Sequence, residues 1–206
     1  KRNRSTRRLI YKFNYSFKKA LKQGHTLVAK KIIRSEKFKR TLDTVEYDQL
    51  RAQLGHAYFI DGEDKRAIKW ALPTTDKSEK FVPEGHWTSG LAYWRLGDKK
   101  TAGFHFGKAA NLSFNDTWLH AAAAFWASRA FLVTRQPKKV LHYLRISASF
   151  PRTFYGLIAK KILGGEQAFN WGLPKHKNSV ISTIVKFKKA KRAIALLQIG
   201  ENFRAE

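Results

Sequence analysis

Ala92-Tyr93-Trp94-Arg95-Leu96-Gly97-Asp98-Lys99-Lys100-Thr101-Ala102 repeats the pattern of Ala57-Tyr58-Phe59-Ile60-Asp61-Gly62-Glu63-Asp64-Lys65-Arg66-Ala67, 35 residues earlier, with the same Ala, Gly, Ala spacing. Ala195, Gly200 and Ala205 carry that spacing again. Ala130, Arg135 and Val140 carry it with the glycine and the last alanine replaced. A period of this length is that of stacked helix pairs: small residues let helices approach, a glycine or polar residue turns the chain, and the next helix covers its neighbour. The fold expected is all-α, a right-handed superhelix of antiparallel helix pairs of the tetratricopeptide kind, with function on its curved surface.

Outward from these phrases the pattern stays helical. Residues 1–8, Lys-Arg-Asn-Arg-Ser-Thr-Arg-Arg, lack apolar periodicity and read as a flexible basic arm. Helical repeats follow over 9–72, with Phe13, Phe17, Ala20 and Leu21 on one face, a second helix from Leu27 to Phe38, and Asp43 or Thr44 capping a third. Residues 73–83, bracketed by Pro73 and Pro83, form a connection that cannot continue either helix. Repeats resume over 84–206. Asn115 or Asp116 caps a helix with Leu119, Ala123, Trp126, Ala130 and Val133 on one face; Pro137 opens the next. Phe154, Leu157, Ile158 and Ile162 line another that stops at Gly164-Gly165, 166–178 form a loop, and Ser179 caps a helix reaching Lys189.

A content of 43% hydrophobic and 14% aromatic residues supports a real core. The apolar run at Leu119–Ala127 is far shorter than the roughly 20 residues that cross a bilayer, so no transmembrane span is expected. Without cysteine, disulfides, thiolate metal sites and cysteine nucleophiles are excluded. A chain that begins at Lys1 and has no methionine is expected of a processed, exported product, periplasmic or secreted, or of a trimmed fragment. The formal charge of +26 calls for an acidic partner: peptidoglycan, anionic lipid, a host protein, or nucleic acid. Genome bias that fills solvated faces with lysine is the alternative origin of that charge. Eleven of the fifteen carboxylates lie between Glu36 and Asp98, so the positive field is expected on the N-terminal arm and the C-terminal half, with the first repeats nearer neutral.

Ala122-Ala123-Ala124-Phe125-Trp126-Ala127-Ser128-Arg129-Ala130 and Pro151-Arg152-Thr153-Phe154-Tyr155-Gly156-Leu157-Ile158-Ala159 resemble the superhelical domain of soluble lytic murein transglycosylases. The likeness covers about residues 80 to 206, with the stretches around Trp87–Asp98 and Ala193–Gly200 similar too. In that family the superhelix precedes a lysozyme-like domain in which a glutamate followed by serine works on the glycan. Glu201 is followed by Asn202 and Glu206 by nothing, so neither fits that motif, and no lytic activity is expected of residues 1–206. The resemblance implies a non-catalytic exported binding protein, acting on peptidoglycan or, as a secreted effector, on a host component. The alternatives are a transglycosylase fragment whose catalytic domain lies beyond Glu206, and a nucleic-acid-binding repeat protein.

Two basic sets are candidate ligand-binding residues. Arg129, Arg135, Lys138, Lys139 and Arg152 lie near the family-like segment, lining a groove or, for Arg129 and Arg152, capping the core. Lys186, Lys188, Lys189, Lys191 and Arg192 form a basic run suited to phosphates, and Trp171 is the ring expected to be exposed; Trp94 and Trp126 are expected in the core. No cofactor motif is present, neither a Walker nor a dinucleotide glycine pattern nor a Gly-x-Ser-x-Gly elbow. No metal site is expected, because the seven histidines lie too far apart for i, i+4 pairs; they are read as surface or interface residues.

Overall fold

The computed structural model describes residues 3–165 and 186–201. Every regular element among them is helical, so the described residues are all-α. Ten helices run from α1 to α10: α1 (Arg4–Lys22), α2 (Thr26–Ile33), α3 (Glu36–Lys39), α4 (Thr44–Ile60), α5 (Asp64–Ala71), α6 (Pro83–Arg95), α7 (Lys99–Asn111), α8 (Thr117–Val133), α9 (Pro137–Ala148) and α10 (Phe154–Ile162). A 3₁₀ turn, Leu72–Thr75, follows α5, and α11 (Lys188–Gln198) comes last. The chain divides into two compact units, Lys1–Gln167 and Ala168–Glu206. Residues 73–83 therefore lie inside the first unit.

Local chemistry sets most boundaries. Asp43 and Glu46 close a capping box on α4, with Asp43 Oδ1 accepting from Glu46 N at 2.9 Å and Glu46 Oε2 accepting from Asp43 N at 3.0 Å. Asp98 caps α7, Asp116 caps α8 and Thr153 caps α10; Pro83 and Pro137 occupy the first helical positions of α6 and α9. The expected flexible arm instead joins α1: Asn3 Oδ1 accepts from Thr6 N at 2.8 Å and starts a helix at Arg4. The single helix expected from Leu27 to Phe38 is broken at Arg34 and Ser35. Ile33 and Phe38 would point about 140° apart on one continuous helix; the break lets both be fully buried.

Left-handed turns close helices at the repeat positions and also outside them, at Gly24 (φ +71°) and Gly164 (φ +78°). Gly62 (φ +84°), Gly97 (φ +92°) and Gly200 (φ +80°) are left-handed, and Arg135, the residue aligned with them in the degenerate copy, takes φ +57°, the one positive value of a non-glycine residue among those described. At three of these turns a 6→1 bond closes the helix, from Glu63 N to Tyr58 O, Gln136 N to Phe131 O and Glu201 N to Leu196 O. The same geometry is kept whether or not the side chain favours it.

Within the first unit each helix from α4 to α10 packs on the next, and α4 also meets α6, as α8 meets α10. Two cores result. Phe17, Ile33, Phe38, Leu54 and Tyr58 dominate the first; Phe106 with Ala102, Ala109, Ala123, Ala124, Ala127 and Ala130 forms the second. Trp94 and Trp126 meet edge to face at 5.3 Å against the second core, as expected. Val133, Phe154 and Ile162 are exposed instead of buried. On α10 the inner face is taken by Gly156 and Ala159, and a Cβ on Gly156 would lie 2.0 Å from the Phe150 carbonyl oxygen. Arg95 ties three helices together: Nε donates to Asp64 at 2.8 Å, NH2 donates to Phe59 O at 2.6 Å, and the guanidinium sits 4.0 Å from the Phe59 ring centre. In the second unit Lys186 and Phe187 form a turn ahead of α11, so a helix does not run through them to Lys189; Ser179 lies outside the described residues.

Candidate anion-binding site

Between α2 and α5 lies an open cavity of about 600 Å³. Lys30 and Arg34, one turn apart on α2 and its C-cap, face it together with Lys39 of α3, Arg51 of α4, and Arg66 and Lys69 of α5. The i, i+3 and i, i+4 spacings put each pair on one helix face. Tyr47, Tyr58 and Trp70 supply rings, and Glu36 is the one carboxylate of the lining. Arg51 pairs with Asp48 at 3.2 Å and Arg66 with Glu63 at 2.9 Å. Lys30, Arg34, Lys39 and Lys69 have no ion-pair partner among the described residues. Lys39 Nζ and the Arg51 guanidinium lie 5.9 and 5.7 Å from the Tyr47 ring centre, and Arg66 lies 6.0 Å from that of Tyr58.

Tyr58 is 2% exposed, and its hydroxyl has no hydrogen-bond partner among the described residues. Burial pushes its pKa up, opposed by Arg66, so it stays a protonated donor at neutral pH. A buried hydroxyl left unmatched is destabilising, and here it belongs to a side chain lining a cationic cavity.

The first repeats were expected nearer neutral, and the cavity lies within them. The difference comes from where the carboxylates point. Asp43 and Glu46 cap α4, Asp48 accepts from Ser78 Oγ at 2.7 Å, and Asp64 holds Arg95. Of the acids that neutralise the segment on paper, Asp43, Glu46 and Asp64 are thus engaged at a helix cap and on Arg95. Asp48 and Glu63 pair two of the six cavity cations and leave the other four without an ion-pair partner among the described residues.

A second cluster joins the 76–82 segment to the α6–α7 pair. His86 and His105, 2% and 5% exposed, approach Nδ1 to Nδ1 at 2.8 Å, and His86 Nε2 is 3.1 Å from Glu79 Oε1. An ionised Glu79 only accepts, which assigns His86 Nε2–H as donor to it and His105 Nδ1–H as donor to His86. Tyr93 stacks on His105 at 5.6 Å, and Lys108 reaches Glu79 at 3.3 Å. Burial, helped by the nearby His86, lowers the His105 pKa to about 4. Burial also lowers that of His86, opposed by Glu79. Burial raises the pKa of Glu79, but hydrogen bonds from His86 and Lys108 outweigh it and hold the carboxyl below its usual range. These two histidines, read in the sequence as surface or interface residues, are buried: 19 positions apart, they meet because α6 and α7 pack together. Among the described residues no group of three or more His, Cys, Asp or Glu side chains could hold a metal.

The residues singled out in the sequence are dispersed. Arg129, Arg135, Lys138 and Arg152 are exposed, so neither Arg129 nor Arg152 caps the core. Lys139 sits 4.8 Å from the Phe131 ring centre and lines a smaller cavity, about 380 Å³, with Lys100, Lys108 and Tyr143. In the second unit Lys186, Lys188, Lys189, Lys191 and Arg192 are all exposed, four of them in the first turns of α11. Trp171 lies outside the described residues. The cations of the large cavity carried a signal of their own, the Lys30/Arg34 and Tyr47/Arg51 spacings, hidden by counting charge along the chain. Comparison with protein-family models, with curated proteins and with solved structures finds no match to this chain.

Proposed function

We propose that this is a non-catalytic helical-repeat binding protein whose ligand is anionic and is held in the cavity between α2 and α5. The observation that carries the reading is the lining itself: six cations against one carboxylate, four of those cations without an ion-pair partner among the described residues. A solenoid of helix pairs is part of the proposal, supported by the sequential packing of α4 to α10. Descent from the transglycosylase superhelix is supported chiefly by the Phe125–Ala130 and Thr153–Gly156 phrases, and export to the periplasm or beyond the cell by that resemblance and by a sequence without methionine.

Isothermal titration with inorganic tripolyphosphate tests the reading. Binding is expected to weaken steeply from 50 to 300 mM salt, and Lys30→Gln/Arg34→Gln/Lys69→Gln is expected to weaken it at least tenfold. Absence of binding, or binding the triple variant retains, overturns it.

A second reading, nucleic-acid binding by the second unit, is favoured by α11. Its first turns hold exposed Lys188, Lys189, Lys191 and Arg192 and no acid, the arrangement a helix dipole disfavours. Neutralising those four should lower the salt slope for RNA or DNA; an unchanged slope removes this reading.

A further inference from the structure

We propose that the ligand of the α2–α5 cavity is a nucleoside polyphosphate, its base stacked on Trp70 and its phosphates among Lys30, Arg34 and Lys69. The inference rests on the anionic-ligand reading above and goes beyond it in naming a ring.

Trp70 carries it. The indole is half-buried, packs against the first core, and lines the cavity. Tyr47 and Tyr58 have cations within 6.0 Å of their ring centres, whereas Trp70 has neither a ring nor a cation partner among the described residues. Trp70 is thus the ring of the lining without an aromatic or cation partner among the described residues, and base stacking on such a ring is favourable whatever the base. Phosphates satisfy the lysines and Arg34, and a guanidinium grips phosphate oxygens with paired N–H groups as an ammonium cannot.

Two further features separate a nucleotide from a bare polyanion. Glu36 would repel bare phosphate, yet it offers an acceptor to ribose hydroxyls or an exocyclic amine. The volume, about 600 Å³, falls in the range of small-molecule sites and suits a nucleotide better than a polymer, which would need an open track.

Parallel titrations of the full chain with ATP, inorganic tripolyphosphate and adenosine, all without divalent cation, test this. ATP is expected to bind about tenfold more tightly than tripolyphosphate, with adenosine weakest. Trp70→Ala should remove the advantage of ATP while leaving tripolyphosphate binding within about twofold, and Trp70→Phe should restore most of it. Glu36→Gln should tighten tripolyphosphate more than ATP. Equal affinities of ATP and tripolyphosphate for the unaltered protein, a comparison that needs no variant, overturn the nucleotide inference and leave the anion site standing. Binding of neither overturns both. An ATP advantage that survives in a folded Trp70→Ala protein, judged by circular dichroism, overturns the stacking role.

Discussion

The core of α1–α5 is filled by bulky side chains, Phe17, Ile33, Phe38 and Leu54, while that of α6–α9 is built largely of alanine around Phe106. Small residues let helix axes close up, and large ones hold them apart. The first half accordingly borders the wider cavity, about 600 Å³ against 380 Å³, while buried hydroxyls without a partner among the described residues occur in both halves, Tyr58 in the first and Ser89 in the second. Close packing serves the array in one half, and open space is left for the site in the other.

That contrast can be broken by mutation. Phe106→Ala should be the most damaging change, removing about 4 kcal/mol by denaturant unfolding, because the ring is fully buried among alanines that cannot reach into its space. Gly156→Ala should remove about 3 kcal/mol, since the added carbon meets a backbone oxygen with no side chain able to move aside. A loss under 0.5 kcal/mol at either position would contradict the close packing assigned to the second half.

Acid should act on the second half as well. The His105 pKa is depressed in the folded chain, so the unfolded state binds the proton first and stability falls as pH drops from 6.5 towards about 4. The expected loss is up to about 3 kcal/mol. Protonating both rings places N–H against N–H across the 2.8 Å contact. Comparing melting curves of the parent and His105→Gln over this range isolates the term; identical pH slopes would sink the assignment.

Tyr58→Phe probes the other half with the opposite sign. Removing an unmatched buried hydroxyl should stabilise the fold by about 1 kcal/mol, read from denaturant unfolding. Loss of stability would mean the hydroxyl is paired in solution. The smallest effect expected is at Arg135, whose left-handed backbone suits glycine; Arg135→Gly should gain about 0.5 kcal/mol, seen as a small rise in melting midpoint.

Much of the fold was legible because its determinants are local. Asp43, Asp116 and Pro137 start helices by chemistry confined to three or four residues, and the spacing that aligned Arg135 with Gly62 and Gly97 anticipated a shared turn. Asn3 was overlooked as a cap, which turned an N-terminal helix into an arm. The site was far less legible. Charge summed along 36–98 sets Asp48 and Asp64 against Lys39 and Lys69, yet in space Asp64 holds Arg95 and Asp48 binds Ser78 and Arg51. His86 and His105 meet only because α6 and α7 pack side by side, information no local spacing contains.

α6 contributes Ala92 to the first core and Leu91 and Trp94 to the second. It is a party wall. Neither core can be dissolved without stripping one side of that helix, so the segment at 73–83, bracketed by prolines like a hinge, joins two parts that melt together. Calorimetry of the first unit should show one cooperative transition, and ligand held between α2 and α5 should raise the melting temperature of residues as far away as α9.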